Sequence, residues 1–499
     1  MTNWTHPQTG YVHAFHGGFW SNWVFQIASS NSTNNTIMFS RGGFQEARGW
    51  PYGGPFYVSN IFEELDSSNE WFLDKLTRTL YFMPNDTMPN VFVASQLSCL
   101  ISNSGSSIEN PVRNILIDGL IFTQTSNTYL KDFMVPSGGD WSVHRGGTIY
   151  LTNTENITVT NNLFTQLGSN GIAVIDYNYA TSITLNEFVW LADSGVILVG
   201  STDGIDGFSV TSQPNRILIQ SNIFHELGIY IKQSSPVLIS VSRSVSVIGN
   251  LMFNMPRAAI NINDGFYGNH TISWNVIFNA VRETKDHGPI NTWDRQPFLT
   301  DARQSGLPSL WQHYSYIHHN TIIGNYHSVW PLDHDDGSCF YEDSYNFLVY
   351  GGKKNYLGHS KIDHHEIYVY PDVYKPQFGY GNCVGGSSGW NESWIENICV
   401  LYQSSVPYNI GNCDVASLVL PYLANNTIYI PSGKQVAFVC NVNGTSRRMT
   451  LEEWQLFGLD IGTTVQTVPD MKVVIEWARQ MLQNVLFENV KIKENKNLY

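Results

Sequence analysis

The sequence predicts an all-β chain wound into a right-handed parallel β-helix, with an N-terminal β-rich insert subdomain and a C-terminal helical cap. Three observations carry that expectation. First, one short unit recurs: a few residues of alternating polarity, an Asn, one residue, then an apolar side chain. Its Asn is Asn162, Asn186, Asn222, Asn250, Asn275 and Asn320 in turn. Second, the intervals between those asparagines are 24, 36, 28, 25 and 45 residues. A short base coil with insertions of varying length is the mark of a solenoid whose loops leave at its corners. Third, each coil holds a second strand after a small residue, as at 171–176, 195–200, 236–241 and 259–264.

The physics agrees. Alternation turns one side chain in two inward, and a single coil cannot bury that face, so coils stack. An Asn at a fixed corner tolerates the left-handed backbone of a tight turn, and its amide can ladder with the next coil. An antiparallel sandwich also has many short strands, but it has no reason to keep one Asn column in register over six units.

Taken in order, residues 1–112 share no period with the remainder of the chain and read as a separate N-terminal β-rich subdomain. Within it, 70–74 and 78–82 form a hairpin around Lys75-Leu76-Thr77. The solenoid occupies 113–449. The segment 450–499 is the cap: Thr450 with Glu453 is a capping box, 473–483 is helical, and a helix over an open solenoid end covers unpaired strand edges.

Charged residues make up only 14% of the chain, the net charge is −14, and there is no basic run. Nucleic acid is therefore excluded as a partner, because it needs clustered Lys and Arg. No apolar run reaches the ~20 residues that span a bilayer. Six cysteines occur without a CxxC pair, which argues against a zinc site; four of them, Cys383, Cys399, Cys413 and Cys440, fall in one stretch where disulfides are plausible. N-glycosylation sequons begin at Asn3, Asn31, Asn34, Asn85, Asn156, Asn269, Asn391, Asn425 and Asn443. Turns rich in Asn and Thr also produce such tripeptides by chance. The expectation is a secreted, extracellular protein. Since 1–5 open straight into β-type sequence with no signal peptide, the N-terminus as given is expected to be incomplete.

Chemistry concentrates between residues 256 and 338. Asp264 closes one strand, Asp286 and Asp294 bracket the next, and Asp333-His334-Asp335-Asp336 closes a third. Counting from the small residue that opens each second strand, Asp264, Trp293 and Asp333 all fall at position six and share one column. Neighbouring coils lie about 4.8 Å apart. A carboxylate pair about 5 Å apart suits a retaining glycosidase and one about 6.5–9.5 Å apart an inverting one. Crowding raises one carboxyl pKa, as a general acid requires. Two other readings stand beside it: the Asp333–Asp336 cluster as a Ca²⁺ or polysaccharide-lyase site, and Asp-Gly sequences as plain turns. His287 and His334 read as hydrogen-bonding wall residues rather than metal ligands. Arg257 and Arg295 are placed to hold sugar hydroxyls or orient a carboxylate.

Several blocks carry a resemblance. Asn-Ile-Phe-Glu-Glu-Leu-Asp at 60–66 with Trp-Phe-Leu-Asp at 71–74, Trp-Ser-Val-His-Arg-Gly-Gly at 141–147, Pro-Arg-Ala-Ala-Ile-Asn-Ile-Asn-Asp-Gly at 256–265, Glu-Thr-Lys-Asp-His-Gly at 283–288 and Asp-His-Asp-Asp-Gly-Ser at 333–338 resemble glycoside hydrolase family 141. That family comprises pectate-lyase-like β-helix enzymes, α-L-fucosidases and xylanases among them. The resemblance implies hydrolysis by two carboxylates, which map onto Asp264, Asp286, Asp335 and Asp336 as catalytic candidates. Arg257, His287, Trp293, Asp294, Arg295, Asp333 and His334 are then candidates for substrate binding. No metal is implied beyond Ca²⁺ at Asp333–Asp336. Two departures stand out. The family pattern runs Trp-Gly-Arg-Asp after its Asp-His-Gly block, whereas Trp293-Asp294-Arg295-Gln296 puts Gln where that Asp falls. Family members also carry earlier coils before the insert.

Two functions emerge. One is an extracellular hydrolase cleaving glycosidic bonds in a complex cell-wall polysaccharide. The other is a catalytically inactive, glycosylated β-helix used as a carbohydrate-binding or structural surface protein, which the Gln296 departure and the sequons favour and which could assemble through its ends or edges.

Overall fold

The computed structural model describes residues 4–45, 52–136, 141–201, 212–263, 267–294, 313–328, 330–373, 381–386, 388–413 and 420–496. Asp264, Arg295, Gln296 and the sequon residue Asn3 lie outside them.

The Asn column is real and longer than the sequence suggested. Each side-chain amide donates to the next coil's Oδ1, from Asn162 through Asn186, Asn222, Asn250, Asn275 and Asn320 to Asn346, at 2.9–3.0 Å. The same amides also donate to a backbone carbonyl of the preceding coil, such as Val159 O from Asn186 at 2.9 Å. Glu366 takes one rung, accepting from Asn346 at 2.7 Å, and the column goes on through Asn397 to Asn426. One detail differs from expectation. The left-handed residue is the one before each ladder position: Asn161, Leu185, Ser221, Trp274, His319 and Tyr345 have φ between 54° and 60°. The ladder residue itself turns inward, where its amide is buried and must be paired. A bulky Leu or Trp therefore accepts a strained backbone because the corner is fixed by its neighbour.

The coils stack into a right-handed parallel β-helix with sheets of 12, 13 and 12 strands among the described residues. Register is set by inward apolar columns. In one sheet Phe122, Phe164, Phe188 and Phe224 stack at centroid spacings of 4.5–4.8 Å, followed by Met252, Ile277 and Ile322. In another, Val159, Ile183, Ile219, Val247, Ile272 and Ile317 give way to Asp343 and Asp363. These two carboxylates meet Lys353, which follows Ile260, Ile290 and Leu332 in the facing inward column. Lys353 Nζ pairs with Asp343 and lies 3.1 Å from Asp363, with all three side chains fully buried. A hydrocarbon core thus becomes an ionic one within a single coil.

A four-stranded antiparallel sheet from Tyr11–His16, Asn22–Asn31, Thr36–Gly42 and Gly53–Ser59 precedes the solenoid. The hairpin is formed by Trp71–Asp74 and Thr79–Phe82, and the first strand of the 13-stranded sheet is Ile101–Ser104. At the other end, the Thr450–Glu453 capping box starts the helix Leu451–Leu456, whose Trp454 stacks on Phe438 at 5.0 Å. The long helix Met471–Lys496 follows, and its described side chains lie along the flank of the solenoid. Val474, Trp477 and Met481 pack on Phe347 and Val369, on the flank of the 12-stranded sheet that holds the Phe stack.

Cys383–Cys399 and Cys413–Cys440 form disulfides inside the last coils, while Cys99 and Cys339 are free thiols. Among the described residues no helix is long and apolar enough to cross a membrane. All eight described sequon asparagines are exposed. Asn156, Asn269, Asn391, Asn425 and Asn443 also have φ of 49–58°, so turn geometry by itself accounts for an Asn at those five positions.

Candidate active site

The outward face of the 13-stranded sheet changes character along its length. One outward column reads Ala173, Ile197, Leu238, Asn261, Asn291, Asp333, Lys354. Its apolar half is covered by Trp141 and Val143, on a segment whose Ser142 donates to Phe44 O of the N-terminal region at 2.6 Å. Where that cover ends, the column turns polar. The adjacent column runs Val199, Ser240, Asn263, Trp293.

This register corrects the count made from sequence. Trp293 lies beside Asn263, and Asp333 lies beside Asn291 two residues earlier on the same strand, so Trp293 and Asp333 do not share a column. The small-residue marker slips because Pro289 and Pro331 accept the strand-opening hydrogen bonds from Ile260 and Ile290. Asp294 instead meets Asp336: Asp294 N donates to Asp336 O at 3.2 Å. Asp335 N donates to Thr292 O at 2.7 Å. At Gly337, φ is 88°, and a Cβ would lie 2.5 Å from Asp294 O. Only glycine closes this turn and delivers Asp335 and Asp336 side by side.

Lys354 holds the carboxylates together. Its Nζ lies 2.7 Å from Asp335 Oδ1 and 3.2 Å from Asp333 Oδ1. Asp335 is the nearer of the two, and neither oxygen of the buried Asp333 has a well-formed hydrogen bond among the described residues. Burial pushes the fully buried Asp333 carboxyl well above the ordinary range, with Lys354 opposing. Asp333, Asp335 and Asp286 hold Lys354 protonated despite its own burial. The cation that this cluster contains is therefore the Lys354 ammonium, and a Ca²⁺ shared by Asp333 and Asp335 would have to displace it.

Asp286 enters from the coil below, on a left-handed turn (φ 68°). That loop is clamped from two sides. Pro256 O accepts from Glu283 N, Thr284 N and Thr284 Oγ1, and Phe19 O accepts from Lys285 N at 2.9 Å. Burial raises the Asp286 carboxyl above its ordinary range; Lys354 and Arg257 oppose, while Asp335 and Asp336 add to the rise. Beside it, Arg257 lies over the Trp141 ring at 4.1 Å and 2.6 Å from His287 Nε2. His287 Nδ1 faces Lys285 O at 2.8 Å, and Trp20 meets the imidazole edge-on at 6.4 Å. The floor carries buried amide atoms with no hydrogen-bond partner among the described residues: both of Asn291, Oδ1 of Asn261 and Nδ2 of Asn263. Such groups are satisfied by water or by a ligand.

Of the candidates read from sequence, Asp286, Asp333, Asp335, Asp336, Arg257, His287 and Trp293 are brought to this face, whereas Asp294, next after the outward Trp293, acts on the inward Tyr341 and on Cys339. Nor is His334 brought there. It points into the solenoid, fully buried between Thr292 Oγ1 (2.7 Å) and Asp343 Oδ2 (2.7 Å), because alternation sends it inward when Asp333 and Asp335 go outward. Its imidazole is held near pKa 4 by burial. Sequence reasoning missed Lys354, Asn261 and Asn291. The Lys353-Lys354 pair in a chain so poor in charge was the available signal.

No family model and no curated protein sequence matches the chain. Among solved structures it is similar to one described as a glycoside hydrolase, with a TM-score of 0.55 and 17% identity over 74% of this chain and 69% of that one. A complex of XylC with xylose (TM-score 0.35, 10% identity, 84% and 64% covered) and a complex of alginate lyase AlyF-OU02 with G6 (TM-score 0.35, 11% identity, 75% and 97% covered) are more distant. At these identities the first match establishes the shared β-helix fold.

Proposed function

We propose that this protein is an extracellular glycoside hydrolase that cleaves a complex polysaccharide, with Asp286 as the proton donor. The observation that carries the reading is the split among clustered carboxyls. Asp286 is held toward its protonated form by burial and by Asp335 and Asp336, while Asp335 is ion-paired to Lys354. A buried carboxyl beside a second one that is ion-paired to an ammonium is the asymmetric pair that glycosidic cleavage needs. In this scheme the Asp286 carboxyl gives its proton to the glycosidic oxygen as the bond to the anomeric carbon breaks. The electron pair of that bond leaves with the alcohol. A carboxylate of the Asp335–Asp336 turn stabilises the positive charge at the anomeric carbon or takes the proton of the attacking water. Arg257 and His287 line the sugar's path, and Asn261 and Asn291 offer hydrogen bonds to its hydroxyls. The disulfides and exposed sequons support placement outside the cell, and the fold shared with a glycoside hydrolase supports the substrate class.

A non-catalytic carbohydrate-binding role is favoured by one feature, Gln296 at the position where the resemblance expects Asp. Release of reducing sugar from fucosides, xylosides and pectic oligosaccharides decides between them. The hydrolase reading expects turnover that Asp286→Asn and Asp335→Asn each reduce by about 10²-fold or more. A folded wild-type protein with no turnover on any of these substrates establishes the binding role instead.

A further inference from the structure

A cavity lies between the N-terminal sheet and the solenoid, away from the Asp286–Asp335 cluster. It encloses about 440 Å³ and is lined by Tyr11, His13, Tyr57, Trp71, Tyr129 and Tyr230, a volume within the ~300–1,000 Å³ of small-ligand sites. The rings form one connected cage. His13 stacks on Tyr57 at 4.5 Å with the planes 3° apart, and it meets Tyr129 and Tyr230 at 5.8 Å each. Tyr129 and Tyr230 cross edge to face at 5.8 Å, and Tyr11 meets Tyr129 at 5.9 Å. Tyr57 and Trp71 are 48% and 58% exposed, so the cage is open on that side. His13 is itself buried; its Nε2 faces Ser59 Oγ at 3.3 Å, while its Nδ1 has no hydrogen-bond partner among the described residues.

We propose that this cage binds a neutral sugar unit of the same polysaccharide, as a subsite remote from the cleaved bond; the identity of the polysaccharide rests on the function proposed above. Flat aromatic faces accept the C–H face of a pyranose, while phenol hydroxyls and the His13 Nδ1 meet its hydroxyl groups. The lining charges, Lys75 against Glu64 and Glu70, give no net positive field for a phosphate or a uronate. The cage also connects to the catalytic rim. The strand Tyr11–His16 starts in it and ends at His16, whose ring meets Trp20, the residue against His287. From the opposite wall, Lys232, two residues beyond Tyr230, pairs with Glu283 at 2.9 Å, three residues before Asp286. At ~3.3 Å per strand residue, the three residues from His13 to His16 span roughly 10 Å, so one extended oligosaccharide could reach both places.

Saturation-transfer NMR and calorimetry with methyl fucosides, xylo-oligosaccharides and pectic oligosaccharides test this without turnover. Binding is expected to persist in Asp286→Asn and to weaken about tenfold or more in Tyr57→Ala and Trp71→Ala. Both rings are exposed enough to remove without loss of the fold, checked by unchanged melting temperature. If those two variants bind as the wild type does, if no sugar of the panel binds, or if tetramethylammonium alone occupies the cage, the proposal is overturned. Sugar binding that depends on Tyr57 in a protein without hydrolytic activity would sustain the cage and remove the hydrolase.

Discussion

Replacing Asn222 by Ala tests the idea that the ladder, more than any strand, holds the coils in register. The Asn222 amide donates to Ile183 O at 2.9 Å and Asn250 Oδ1 at 3.0 Å, and its Oδ1 accepts from Asn186 N at 2.9 Å and Asn186 Nδ2 at 3.0 Å. All of these bonds are buried. Asn250 Oδ1 still accepts from Asn222 N and Asn186 Nδ2 still donates to Val159 O after truncation. Ile183 O and Asn186 N lose their Asn222 side-chain partners. Each buried group left unpaired costs about 1–3 kcal/mol, so the expected loss is about 2–6 kcal/mol, large against the ~5–15 kcal/mol of a whole domain. Urea titration followed by tryptophan fluorescence should show the midpoint fall, with Asn222→Asp also destabilised because it keeps the acceptor but loses the donor and buries a charge. A loss below about 0.5 kcal/mol, the size of an ordinary surface change, would refute the ladder as a stabilising device.

Further predictions rest on the same logic. Lys353→Met removes the ammonium shared by Asp343 and Asp363, leaving these buried carboxyls only His334 and Tyr368 as partners among the described residues, and should cost about 3–5 kcal/mol in chemical denaturation; a neutral result would show that the core is hydrated there. His270 is fully buried and held near pKa 4 against an ordinary 6.5, from burial alone. Its folded pKa is depressed, so its contribution is present above about pH 6.5 and lost as pH falls through 4. The 2.5-unit shift, at ~1.36 kcal/mol per unit, means that the advantage of wild type over His270→Asn should shrink by about 3 kcal/mol between pH 7 and pH 4. Since Lys354 lowers the Asp286 pKa, Lys354→Met should move the alkaline limb of kcat/KM to higher pH; an unmoved limb assigns that limb to another group. Reduction of Cys383–Cys399 and Cys413–Cys440, which close intervals of 16 and 27 residues, should lower the melting temperature through about 2–4 kcal/mol each.

The repeat was legible because the Asn column is a local pattern that tolerates insertions. Counting back three residues from each ladder position also gives the inward residue of the preceding strand: Val159, Ile183, Ile219, Val247, Ile272 and Ile317. The same count lands on Asp343 and Asp363, so the ionic core was written in the sequence at the two places where the apolar rule breaks. The 13-stranded sheet was harder to read. It carries no ladder Asn of its own, and the small residues that open its strands are not in register, so a slip displaced Asp333 from its true neighbours. His334 was grouped with the acidic residues around it as part of the site wall, whereas alternation turns it inward. Lys354 lies some twenty residues from the acidic cluster, and only coil stacking brings it there.

The most direct test of Asp286 as proton donor is the leaving-group dependence of kcat/KM, measured on aryl glycosides of the best substrate for wild type and Asp286→Asn. If Asp286 protonates the departing oxygen, the variant should be close to wild type with a dinitrophenyl leaving group and about 10²–10⁴-fold slower with a poor alcohol leaving group. Equal loss across all leaving groups, or no loss on any, would contradict the account.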